Sequence, residues 1–256
     1  MISRFKLAAA AASVALSIGA AGPAKADIIQ LGFILDSSGS IGTTNWNTIR
    51  TGLANAINSF IPVGGPDQYE ISVVTFSSTA STIVNHVLVT DAASRSGVAS
   101  AVAAAPFIGT NTNFAIGFST MQTALTTSPN YNVNLAQYVN FATDGVQNLG
   151  GTGVTERNNL IAAGVNNISI EGIGGGVDAA DLQNNFCSPQ PCDTTSPFNF
   201  PAQGSQFTVA SAAAAYADAM SHKIIVVTGG VPEPATMALI GVALFGVGFS
   251  RRRKLH

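Results

Sequence analysis

Apolar positions along the middle of the chain switch repeatedly between two periodicities. Ile28 to Leu35 is a near-continuous apolar run, the pattern of a strand covered on both faces. Trp46, Ile49, Leu53, Ile57 and Phe60 then recur at helical spacing. Tyr69–Phe76 and Ile83–Val89 predict two more strands, and the short link between them predicts a hairpin. An Ala-rich helix is predicted over Ala92–Ala105, and Phe114, Phe118, Met121 and Leu125 mark another helix. Tyr138–Ala142 predicts a strand, Thr155–Val165 a helix and Ile168–Ile173 a strand. Phe186 to Gln206 is proline-rich without periodicity and reads as a long loop. Val209, Ala213, Tyr216, Ala217 and Met220 predict a final helix, Val209–His222. Strands alternating with helices define an α/β class: a doubly wound, mostly parallel sheet with helices on both faces. Ligands of such sheets bind beyond the carboxyl ends of the strands, at the switch point of the topology.

Both ends of the chain depart from this pattern. Arg4 and Lys6, the apolar run Leu7–Ile18 and the small-x-small triplet Ala24-Lys25-Ala26 make residues 1–26 a secretory signal, cut by signal peptidase after Ala26. At the other end, Pro232-Glu233-Pro234 precedes the apolar run Ala235–Phe249 and the cluster Arg251-Arg252-Arg253-Lys254. The run is about 15 residues, short for a permanent span, and its basic end should stay cytoplasmic. The prolines, the short apolar helix and the Arg-rich end together resemble the PEP-CTERM sorting signal of Gram-negative bacteria. That resemblance implies transient anchoring in the inner membrane, cleavage by an exosortase near Pro232–Pro234, and delivery to the cell surface or extracellular matrix. A plain C-terminal transmembrane anchor is the alternative. The organisation read from the chain is therefore a signal over 1–26, a folded domain over 27–228 and a sorting segment over 229–256.

Charge narrows the function of the middle. Charged residues make up 9% of the chain, and hydrophobic residues 46%. Between residues 27 and 230 four basic residues face twelve acidic ones, a net charge of −8. A nucleic-acid binder needs a basic face to neutralise phosphates, so no nucleic-acid partner is expected.

Three segments carry candidate chemistry at the predicted carboxyl edge. The first strand ends in Asp36-Ser37-Ser38-Gly39-Ser40, Gly109-Thr110-Asn111-Thr112-Asn113 precedes a helix, and a strand runs into Thr143-Asp144-Gly145. Singly, each has a plain structural explanation as an Asx turn, a helix cap or a tight turn. Jointly they offer two carboxylates and three hydroxyls, a donor set suited to a small hard divalent cation.

That constellation resembles the metal-ion-dependent adhesion site of von Willebrand factor type A (vWA) domains, over about residues 28–223. The resemblance is carried by Phe33-Ile34-Leu35-Asp36-Ser37-Ser38-Gly39-Ser40-Ile41, Thr110 and Asp144. The resemblance implies that Mg²⁺ or Mn²⁺ is held directly by Ser38 and Ser40, directly or through water by Thr110, and mainly through water by Asp36 and Asp144. It implies a binding module that takes an acidic group of a protein or polysaccharide partner, in adhesion or matrix assembly. It also implies coupling between the metal and the final helix. A matrix or biofilm component whose metal only orders loops is the alternative.

Enzymatic sites are not legible. No phosphate-binding Gly-x-x-x-x-Gly-Lys loop or Gly-x-Ser-x-Gly elbow occurs, and Gly172-Ile173-Gly174-Gly175-Gly176 is followed by Val177, which breaks the dinucleotide fingerprint. His86 is expected in an edge strand facing solvent, His222 at a helix end and His256 in the tail. Asp178 and Asp181 read as helix-start residues. Cys187 and Cys192 flank Ser188-Pro189-Gln190-Pro191, and an exported chain is expected to join them in a local disulfide.

Overall fold

The computed structural model describes residues 27–132, 134–195 and 198–209, and, further on, 216, 220, 223–225, 227 and 228. Strand β1 (Ile28–Asp36) lies at the centre of the sheet, parallel to β2 (Gln68–Phe76) on one side and to β4 (Ala136–Thr143) on the other. The order is β3-β2-β1-β4-β5-β6, with β5 Asn167–Ile173 and β6 Gln206–Val209. Among the described strands only β3 (Ala80–Val89) runs antiparallel, as a hairpin partner of β2. β1 is buried from Gln30 onward because helices cover both its faces, which is why its sequence lacks alternation. This is the doubly wound, mostly parallel sheet expected from the sequence. Its winding reverses between β1 and β4.

The two faces of the sheet carry separate cores. Helix α1 (Gly42–Phe60) lays Trp46, Ile49, Leu53 and Ile57 on Leu31, Phe33, Leu35, Ile71 and Val73, joined by Val98 and Val102 of α2 (Ala92–Ala103). On the other face α3 (Phe114–Thr126) and α4 (Val154–Ala162) pack Phe114, Phe118, Met121 and Leu160 on Ile34, Val74, Phe141 and Ile170. Gly32 makes this approach possible: a Cβ there would lie 2.7 Å from the Met121 sulfur. Phe114 meets Phe141 and Phe186 edge-on, with ring centroids 5.0 and 5.2 Å apart.

Side-chain caps mark where three of the described helices begin. Asp91 and Ser94 form a reciprocal capping box at α2, Asn113 accepts from Ile116 N–H at α3, and Asp178 accepts from Asp181 N–H at the short α5 (Ala179–Asn185). Asp178 and Asp181 are thus the helix-start residues expected.

Several boundaries move. β3 begins at Ala80 rather than Ile83, because the exposed Ser81 and Thr82 hide an edge strand from a hydrophobicity pattern. α2 ends at Ala103 and α4 at Ala162, each earlier than expected. Val209, expected to open the final helix, closes β6 instead, paired with Ile173 of β5. Residues 216, 220, 223–225 and 227 are helical, so helical conformation is found past His222, the expected end. Tyr216, Met220 and Ile224 of that helix join the core on the α1 face. Residues 1–26, His222, and the sorting segment with Pro232, Glu233, Pro234 and His256 lie outside the described residues. Among the described residues, no helix is long and apolar enough to cross a membrane.

Candidate metal centre

The carboxyl end of β1 delivers Asp36 and the loop after it to the switch point, and two further loops are fastened against it. Ser37 N–H donates to Phe76 O at 2.8 Å, extending the β1–β2 ladder. Ser37 O accepts from Gly109 N–H at 2.8 Å, its Oγ accepts from Ile108 N–H at 2.8 Å, and Gly39 N–H donates to Thr110 O at 2.7 Å. A Cβ on Gly39 would stand 3.2 Å from Gly109 O, so this close approach favours glycine. Gly109 itself has φ +74°, a conformation L side chains rarely adopt. Trp46 Nε1 donates to Ala105 O at 3.2 Å, anchoring the approach of this second loop to α1.

Asp36 is fully buried and held at both oxygens. Oδ1 accepts from Ser38 N–H at 2.8 Å, and Oδ2 accepts from the Thr143 hydroxyl at 2.7 Å. Thr143 Oγ1 in turn accepts from Gly145 N–H at 3.0 Å, which orients the turn bearing Asp144. The Ser38 and Ser40 hydroxyl oxygens are 3.1 Å apart. Burial pushes the Asp36 carboxyl up to about 7; its hydrogen bonds to Ser38 and Thr143 oppose this, and the Asp144 charge adds to it. Burial also raises Asp144, against a hydrogen bond from the Ser40 hydroxyl. Asp144 Oδ1 is buried without a hydrogen-bond partner.

Asp36, Ser38, Ser40 and Asp144 therefore converge. Thr110 reaches the same edge through its backbone bond to Gly39, while its hydroxyl is hydrogen-bonded to Ser77 Oγ and accepts from Ser78 N–H at 3.2 Å. Ser37, Ser77, Ser78 and Thr143 had no role in the sequence reading. Their signal was position alone, since each closes or follows a parallel strand at its carboxyl end.

The donor set fits a divalent cation. An orphaned, buried carboxylate oxygen beside a second buried carboxylate calls for a proton or a positive charge. All the convergent atoms are hard oxygens, the preference of Mg²⁺ and Mn²⁺. Among the described residues no three His, Cys, Asp or Glu side chains cluster, so a cation held here would need hydroxyl donors as well.

Other candidates take structural places. His86 is half-buried at an irregularity of β3, with Nδ1 3.4 Å from Ala124 O, rather than solvent-facing as expected. Asp181 Oδ1 accepts from Asn185 Nδ2 at 2.7 Å within α5. Cys187 and Cys192 form a disulfide. Glu171 of β5 and Lys223 of the final helix form a buried ion pair that hydrophobic patterning does not reveal.

Comparison with known proteins identifies the family and the fold. The family profile of the von Willebrand factor type A domain matches residues 30–209, and that of the PEP-CTERM protein-sorting motif matches residues 230–254. The chain belongs to the von Willebrand factor type A domain family. Its sorting motif implies exosortase processing, export, and a surface or extracellular destination in a Gram-negative bacterium. No curated protein matches it in sequence. Solved structures share the fold. Proximal thread matrix protein 1 from the mussel byssus, with a zinc-occupied MIDAS motif, is 20% identical, with a TM-score of 0.56 over 80% of this chain and 47% of that one. The pilus adhesin SpaC from Lactobacillus rhamnosus GG is 15% identical, with a TM-score of 0.56 over 78% of this chain and 30% of that one. A von Willebrand factor type A protein from Catenulispora acidiphila is 15% identical, with a TM-score of 0.58 over 80% of this chain and 43% of that one. The chain spans about half or less of the length of these structures.

Proposed function

We propose that this chain is an exported, surface or matrix binding module that takes an acidic group of a partner through Mg²⁺ or Mn²⁺ at the β1–β4 edge. Ser38, Ser40 and Thr110 would hold the ion with their hydroxyls, and Asp36 and Asp144 would balance its charge. Bound there, the ion supplies a positive charge with a position open to a partner's carboxylate. The observation that carries this reading is Asp144 Oδ1, buried and without a hydrogen-bond partner beside the buried Asp36.

The loops bear on the competing idea of a metal that only orders structure. Residues 37–39, 77 and 108–113 are tied together by backbone hydrogen bonds. If those bonds persist in chelator, a metal needed only for loop order has little left to do. The domain would act after signal cleavage at Ala26, passage through an inner-membrane intermediate and a second cut near Pro232–Pro234.

Capture from the producer's extracellular matrix tests the function. Acidic protein or polysaccharide should be retained in Mg²⁺ and released by chelator while circular dichroism stays native. Retention unaffected by chelator would overturn the reading.

A further inference from the structure

The large apolar side chains exposed among the described residues fall in two pairs at opposite ends of the sheet. Val146 (54% exposed) and Leu149 (40%) lie on the loop that continues from Asp144, at the carboxyl edge. Phe60 and Val63 (37% each) lie where α1 ends and the loop to β2 begins, at the amino edge. The same loop carries Asp67, immediately before β2, and Gln68 N–H donates to Asp27 O at 2.9 Å beside it. One pole thus offers the metal-type donor set beside two apolar side chains, and the other offers a carboxylate on a loop with two apolar side chains.

Charge tells which of these can meet. The four basic residues between 27 and 230 are all engaged within the domain. Arg50 donates to Ala103 O, Arg95 to Ile61 O and Arg157 to Asn185 O, and Lys223 pairs with Glu171. Three of these bonds go to neutral carbonyls and leave the arginine charges in place, so a cation bound by Asp36 and Asp144 would add a positive charge at the carboxyl edge for an incoming carboxylate, and the chain carries such a carboxylate at its far end.

We propose that the acidic partner is a second copy of this chain, with Asp67 of one copy seated at the metal site of the next and Phe60 and Val63 against Val146 and Leu149. This rests on the metal-binding reading above. The contact joins unlike surfaces, so it repeats head to tail and builds open chains rather than closed dimers. A single carboxylate with a few apolar side chains makes a small interface, which is weak in solution. Copies crowded on one cell surface or in one matrix raise the effective concentration and extend the chains. Two domains of charge −8 repel, so moderate salt should favour this association, the reverse of an interface built on Lys–Asp pairs.

Sedimentation velocity of the full chain in mild detergent, over a range of concentrations in Mg²⁺ or in chelator, tests the proposal. The mean sedimentation coefficient should climb with concentration in Mg²⁺ and stay constant in chelator. Asp67→Asn should lose the climb yet keep the wild-type Mg²⁺-dependent rise in melting temperature, and Val63→Ser provides a second loss at the same pole. Asp144→Ala and Asp67→Asn, each non-assembling, should form pairs and nothing larger when mixed, because one keeps its tail and the other its head. A wild type that melts higher in Mg²⁺ but never associates overturns the second-copy proposal and leaves the metal reading standing. A wild type whose melting ignores Mg²⁺ overturns both. An Asp67→Asn chain that assembles like wild type overturns the assignment of the carboxylate.

Discussion

The Thr143 hydroxyl donates to Asp36 Oδ2 at 2.7 Å, joining residues 107 apart in sequence at the ends of two neighbouring parallel strands. This bond satisfies one side of a fully buried carboxylate, while Gly145 N–H returns to Thr143 Oγ1 and sets the turn that presents Asp144. Thr143 thereby positions both acids without needing to touch an ion. Thr143→Val should cost about 1–3 kcal/mol of stability through the unsatisfied carboxylate. It should also weaken Mg²⁺ binding by about 10-fold or more, as removal of a supporting hydrogen bond does at other metal sites. Chemical denaturation and metal titration check the two effects separately.

The pH dependence has a defined sign. The Asp36 carboxyl sits at about 7 in the folded chain against an ordinary value of 3.8, chiefly through burial. Between those values the folded chain keeps a proton that the unfolded chain has released. Stability without metal therefore falls as pH rises through that window. A cation requires the proton to leave, so apparent Mg²⁺ affinity should rise by about tenfold per pH unit until about pH 7 and then level. Titrations spanning that window check it, and a flat profile would show that Asp36 does not take part.

The buried pair of Glu171 and Lys223 fastens the final helix to β5. Burial lowers the Lys223 ammonium, and the Glu171 charge opposes that shift. Removing one partner leaves a buried charge, so Lys223→Met should cost about 3–5 kcal/mol. Adding Glu171→Leu to that variant should recover most of the loss, as seen in paired denaturation curves.

Fold and site were legible in the chain to different depths. The runs Ile28–Leu35 and Ile168–Ile173 are buried on both faces, and the stripes from Trp46 and Phe114 cover them, so periodicity suffices for the first five strands and for the layers. The convergence of Asp36, Ser38, Ser40 and Asp144 was legible because strand ends of a parallel sheet meet at one edge. Thr143, Ser77 and Ser78 were not, since their roles depend on loop-to-loop hydrogen bonds between distant segments. β6 stayed hidden because four residues after a long loop carry no period, and its partner strand decides its conformation. Glu171 and Lys223 break the hydrophobic pattern of their elements and become intelligible only as a pair.

The Cys187–Cys192 disulfide closes a small ring with a sequence separation of 5, next to Phe186 in the core under α3. Replacing both cysteines by alanine should cost about 2 kcal/mol. Because this staple belongs to the loop leading to β6 rather than to the β1–β4 edge, Mg²⁺ affinity should be unchanged. A combined loss of stability and metal binding would show that the two regions are coupled.

Calorimetric titration of Mg²⁺ into the metal-free chain tests the central claim most directly. One site per chain is expected in the wild type, about 100-fold weaker binding in Asp144→Ala and none in Asp36→Ala, with all three proteins giving native circular dichroism. The same isotherm in all three proteins would place any metal elsewhere and contradict the proposed site.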